Sequence, residues 1–167
     1  MHTLTRKTRV RVLGRFQEVV SALRKGGREA EHDQPGVLAI LHTGAEREKL
    51  AAIFRGAGWK LMVVDTVSAA IAAQTKHPVP VILCERNLPE GDWQHSVCIL
   101  ASLPEQPWVI LLSSHCDQNL WDNLTAMGGS DLLRTPLDRE RVLQAVGSGW
   151  RMWRHMRQLR SARESRR

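Results

Sequence analysis

Val81-Ile82-Leu83-Cys84-Glu85 runs four apolar residues straight into a carboxylate, with Pro89 four positions further on. The run reads as a buried strand, so Glu85 falls at the carboxyl edge of an open α/β sheet, where ligands of such sheets gather. His42, Ser114, His115 and Cys116 should share that edge, after the first and fourth strands. Imidazole, thiolate and carboxylate together could bind Zn²⁺ tetrahedrally. No two of them have the helical or CxxC spacing of a dedicated site. The residues therefore read as polar loop histidines and a small, partly buried cysteine. Cys116 with His42 would make a nucleophile and its base, but no residue is identifiable to orient the imidazole or stabilise an oxyanion. Neither an enzyme nor a bound cofactor is expected.

The elements that must position these groups alternate short apolar runs with helical segments between about residues 37 and 146, the pattern of a parallel α/β sheet. Val37–Leu41 is a first strand, too continuously apolar to be half exposed. Ala45–Ala57 is a helix stopped by Gly58, and Leu61–Val64 is a second strand. Thr66 caps a helix over Val67–Lys76. Val79–Cys84 is the third strand, and Asp92 caps a helix through Leu103 that Pro104 and Pro107 close. Trp108–Leu112 is the fourth strand, and Asp117 starts a helix through Met127 ended by Gly128-Gly129. Leu132-Leu133 is a short fifth strand, and Asp138 caps a last helix carrying Val142, Leu143 and Val146. The expected architecture is a doubly wound, five-stranded parallel sheet of flavodoxin-like order 2-1-3-4-5, a three-layer sandwich.

Three segments follow. Residues 1–35 form a basic extension, partly disordered or holding one short amphipathic helix through Phe16, Val19, Val20 and Leu23. Residues 36–148 form the α/β domain. Residues 149–167 form a Trp/Arg-rich helix and tail, whose continuity with the preceding helix Gly147 and Gly149 weaken. The net charge of +7 divides unevenly among them. Residues 1–35 hold eight Lys/Arg against four Asp/Glu (+4), 36–149 hold nine against twelve (−3), and 150–167 hold seven against one (+6). Basic tails suit nucleic acid, anionic lipid or acidic protein, and often only keep a chain soluble. No run approaches the ~18 apolar residues of a transmembrane helix, and the N-terminus lacks a signal-peptide pattern. Three cysteines without CxxC spacing favour a reducing, cytoplasmic setting.

The chain from Val37 to Val146 resembles a CheY-like response-regulator receiver domain. Asn87-Leu88-Pro89 followed by Asp92 resembles the loop after that family's phosphoacceptor aspartate, whose place Glu85 takes. Leu112-Ser113-Ser114 resembles the end of the fourth strand, where the family keeps a phosphate-sensing Ser or Thr. Gly128–Pro136 resembles the run into strand five, which there ends in Lys-Pro. The departures carry the functional content. The family's Mg²⁺-binding acidic pair falls on about Leu41-His42-Thr43, with no carboxylate, and Thr135 before Pro136 replaces its lysine. Without metal or lysine, nothing neutralises charge developing on a transferring phosphoryl group.

The resemblance therefore implies a degenerate receiver: a stand-alone signalling module working by protein–protein contact without aspartyl phosphorylation. Glu85 would be either a fixed stand-in for the phosphorylated state or a remnant hydrogen-bonded to nearby backbone. Partner contacts are expected from Trp121, Leu132, Trp150 and Trp153, the partner being another signalling protein. A homodimer through the tail helix is the next candidate. The alternative is a basic-tailed nucleic-acid-binding protein using the α/β domain as scaffold. Only seven residues follow Arg160, so no helix-turn-helix output domain is expected, and no membrane partner is expected.

Overall fold

A computed structural model describes residues 36–166 of the chain; the helix expected over Phe16–Leu23 lies outside the described residues. The described residues hold five strands: β1 (Val37–Ile40), β2 (Leu61–Val64), β3 (Val81–Glu85), β4 (Trp108–Ser113) and β5 (Asp131–Arg134). All neighbouring pairs are parallel, in the order β2-β1-β3-β4-β5 expected. Between and after them run α1 (Gly44–Ala57), α2 (Val67–Lys76), α3 (Trp93–Ala101), α4 (Gln118–Ala126) and α5 (Arg139–Glu164). The expected caps are made: Thr66, Asp92, Asp117 and Asp138 each accept a first-turn N–H through the side chain.

Both faces of the sheet are covered, which is why its central strands are continuous apolar runs. Val37, Ala39 and Leu41 face one cluster with Leu50, Phe54, Val142 and Val146. Leu38, Ile40 and Cys84 face the other, with Val97, Leu100 and Leu124. The largest of these side chains are fully buried, each contributing roughly 1.5–3 kcal/mol relative to exposure.

Two expectations change. The third strand begins at Val81 rather than Val79, because the Gln74 amide takes both backbone groups of Val79: its Nε2 donates to Val79 O at 2.8 Å, and Val79 N donates to its Oε1 at 3.0 Å. At the other end the ladder extends to Glu85, opposite Leu112. The second change is at α5, which runs unbroken through Gly147 and Gly149 to Glu164. Gly149 is there for close approach: a Cβ on it would lie 2.4 Å from Trp108 Cδ1. The expected division between residues 148 and 149 thus falls inside one helix.

Candidate functional site at the carboxyl edge

Glu85 is the last residue of β3, and its neighbour across the sheet is the end of β1, Ile40 standing opposite Cys84. A glutamate here is long enough to cross to the β1–α1 loop. Its Oε2 accepts the backbone N–H of His42 at 2.6 Å and of Thr43 at 3.2 Å, and Thr43 donates its hydroxyl to Oε1 at 2.8 Å. Such charge-assisted bonds are about twice as strong as neutral ones. The price appears at α1: Thr43 is its N-cap in extended conformation, yet its side chain makes no capping bond, having turned to Glu85.

Three other acidic groups of this edge also reach across to a neighbouring element. Glu46, in the first turn of α1, accepts the N–H of Leu137 at 3.3 Å, just before α5. Glu90, in the β3–α3 loop, accepts the N–H of Val67 at the start of α2. Asp65, after β2, pairs with Arg47, which also donates to Leu41 O at 3.0 Å. Carboxylates thereby tie these loops to their neighbours.

Ser113 ends β4 and is buried. Its hydroxyl donates to His115 O at 2.7 Å and accepts from His115 N at 3.2 Å and Arg86 Nη1 at 3.4 Å. Arg86 also lies over the Trp93 ring, 5.9 Å from its centre. Thr135 donates its N–H to Ser113 O at 3.0 Å and joins Pro136 through a cis peptide. Glu85, Ser113 and Thr135 share with Thr43, Glu46 and Asn87 the lining of a shallow cleft of about 300 Å³. Leu41 is core, and His42 enters the site only through its backbone.

The nucleophile and metal readings fare differently. Burial, then the charges of Glu85 and Glu90, push the Cys84 thiol up to about 12. Burial also raises Cys116, against the lowering effect of Arg134 and Arg86, and its Sγ donates to Ser113 O at 3.5 Å. At both positions burial disfavours the thiolate, the form that attacks as a nucleophile. Among the described residues, no three His, Cys, Asp or Glu side chains gather closely enough to hold a metal ion.

The four residues expected at a partner surface are not brought together. Trp121 and Leu132 are half-buried against one core cluster, and Trp150 belongs to the other, across the sheet. Trp150 is 8% exposed and meets Trp59 edge-on at 6.4 Å, so its ring has almost no surface left for a partner. It is a core residue. Trp153 is half-buried, its Nε1 donating to Glu105 O at 2.9 Å.

Glu46, Arg86 and Glu90 are site residues that sequence reasoning did not single out, and Thr43 entered it only as a place where a carboxylate is missing. Thr43-Gly44-Ala45-Glu46 carries the T-x-x-E spacing of a capping box, a signal able to flag Thr43 and Glu46. It would have misassigned them, because here Thr43 N goes to Glu85 and Glu46 to Leu137.

No protein-family model matches the chain, and no curated protein matches it. Solved structures do. The receiver domain of an HD domain-containing protein from Pseudomonas fluorescens is 16% identical, with 80% of this chain and 98% of that one covered and a TM-score of 0.70. Chemotaxis protein CheY4 of Vibrio cholerae is 19% identical over 69% of this chain and 98% of its own, at a TM-score of 0.63. The receiver domain of a sensor histidine kinase from Pseudomonas aeruginosa, with magnesium coordinated in its active site cleft, is 18% identical over 71% and 98%, at 0.61. The fold is that of CheY-like receiver domains. Among the described residues, no helix is long and apolar enough to cross a membrane.

Proposed function

We propose that this chain is a receiver-fold module of two-component-type signalling that acts through protein–protein contact and without aspartyl phosphorylation. The observation that carries the reading is the occupancy of Glu85: both oxygens already accept N–H and O–H groups of the β1–α1 loop. Mg²⁺ wants near-octahedral oxygen ligands. The end of β1 offers instead the buried Leu41 and the exposed His42, and the carboxylate of Asp65 is paired with Arg47. These residues do not fit the ion. Thr135 brings no charge to a phosphoryl group, and the Ser113 hydroxyl is bonded to the backbone of His115.

Of the two roles open to Glu85, its contacts favour the hydrogen-bonded structural one. The carboxylate turns to Thr43, while Ser113, the residue that a mimic of phosphate would engage, bonds to His115 and Arg86. A signalling partner would meet a pre-set surface, with Trp121 and Leu132 as the half-buried residues available to it. Incubation with a small-molecule phosphodonor and Mg²⁺, read by intact mass, should leave the protein unmodified. Stoichiometric addition of a phosphoryl group would overturn the proposal.

A further inference from the structure

The C-terminal half of α5 and the turn after it carry arginines at every third position: Arg151, Arg154, Arg157, Arg160, Arg163 and, past the helix end, Arg166, against a single acid, Glu164. Steps of three fall ~60° short of a full turn on a helix of 3.6 residues per turn, so the row winds around the axis and does not form a stripe. The side chains are placed accordingly. Arg151, Arg154, Arg157, Arg163 and Arg166 are exposed, while Arg160 turns to the domain and donates to Gln106 Oε1 at 2.9 Å. Arg154 and Arg157 lie over the rings of Trp150 and Trp153, 5.0 and 5.1 Å from their centres. Stacking on a ring fixes a guanidinium without neutralising it. Among the described residues the one ion pair is Arg47 with Asp65, so none of the helix's arginines has a carboxylate partner.

We propose that this helix binds duplex nucleic acid through its phosphates. Three features favour that partner. Fixed, unneutralised guanidinium groups suit phosphate oxygens, which they can grip bidentately. The row spans ~22 Å at a rise of ~1.5 Å per residue, along which B-form DNA presents about one phosphate per 1.7 Å. Its winding course turns the exposed guanidinium groups to several sides of the axis, an arrangement that a curved, two-walled polyanion can follow. A membrane-surface helix needs a continuous apolar face; here Leu159, 44% exposed, is the only large apolar residue of the helix that is exposed. The domain's own excess of acid over base, −3 across 36–149, rests on nine Lys/Arg against twelve Asp/Glu. That makes α5 the basic element of the described residues.

The test uses the full chain and random-sequence duplex DNA, followed by fluorescence anisotropy between about 50 and 200 mM salt. Each arginine–phosphate contact adds about −0.9 to the slope of log Kobs against log salt. Wild type should bind with a slope near −4. Arg163→Gln/Arg166→Gln, at distal, exposed positions, should flatten it by about 2 while leaving the melting temperature unchanged. Adding Arg151→Gln and Arg154→Gln should abolish binding at about 100 mM salt. Absence of wild-type binding at low salt would overturn the proposal. So would an unchanged slope in both variants, which would move binding to residues 1–35, or binding to anionic vesicles without binding to duplex.

Discussion

Glu85 can be tested by changing its length and charge separately. In Glu85→Ala the N–H groups of His42 and Thr43 and the hydroxyl of Thr43 lose their acceptor. Hydrogen bonds to charged groups contribute about 1.5–3 kcal/mol each when sheltered. His42 and Thr43 are exposed and Glu85 half-buried, so water replaces much of the loss. The expected net cost is about 1–2 kcal/mol for the three together, a fall of about 4–8 °C for a domain of this size. Glu85→Asp withdraws the carboxylate by ~1.5 Å, which carries the contacts at 2.6 and 2.8 Å beyond hydrogen-bond reach. It should therefore resemble alanine in stability, although it restores the residue type that receiver domains phosphorylate. Glu85→Gln keeps length and one acceptor oxygen and should lose about half as much. Thermal unfolding followed by circular dichroism gives the order wild type, Gln, then Asp with Ala; phosphodonor treatment of Glu85→Asp should still add nothing. An aspartate variant as stable as wild type would refute the reasoning that the extra methylene exists to reach the β1–α1 loop.

Two further outcomes follow from packing and burial. Gly147→Ala should stabilise by about 0.5–1 kcal/mol, since a Cβ there meets only the Arg151 side chain at 3.5 Å and helix propensity decides. Gly149→Ala should destabilise by about 1–3 kcal/mol against that same propensity gain, because its Cβ would fall 2.4 Å from Trp108 Cδ1; chemical denaturation of the pair should give opposite signs. Burial raises Asp131 above its ordinary 3.8, partly offset by the N–H of Leu132, so the folded chain holds that proton more readily than the unfolded one. The contribution of Asp131 to stability is present at low pH and is lost as pH rises through its folded range. Asp131→Asn, which keeps an acceptor for Leu132, should melt higher than wild type at pH 7 and level with it near about pH 3.

Much of the fold was legible because parallel strands covered on both faces must be apolar at every position, and helices between them carry caps of fixed chemistry. Leu38, Ile82 and Ile110 could hardly be anything but core. Strand limits were less legible where a side chain competed with the ladder. Gln74, on α2, looks like an ordinary polar helix residue, and nothing local says that its amide removes Val79 from β3. The same holds at the site. Glu85 was recognisable as a strand-end carboxylate, but its partners lie 42 and 43 residues away and depend on the register that sets Ile40 against Cys84. Gly149 misled for a related reason. Propensity treats glycine as a break in a helix, whereas here its missing side chain is what lets α5 close on Trp108. Once α5 continues, Trp150 lands against Trp59 in the core rather than on the surface expected of it.

The contacts around Glu85 also bear on where a disturbance of that residue would be felt. Thr43, its main partner, is the cap of α1, and Glu46 in the first turn of that helix reaches Leu137 beside the cap of α5. Arg139, the first residue of α5, donates back to Ile53 O on α1 at 3.3 Å. One run of direct contacts from the strand-end carboxylate therefore leads through α1 to α5. Toward β4 and β5 it meets Ser113, whose hydroxyl is already closed on His115 and Arg86. Through α1, hydrogen bonds thus link this edge to the same long helix whose far half carries the arginine row.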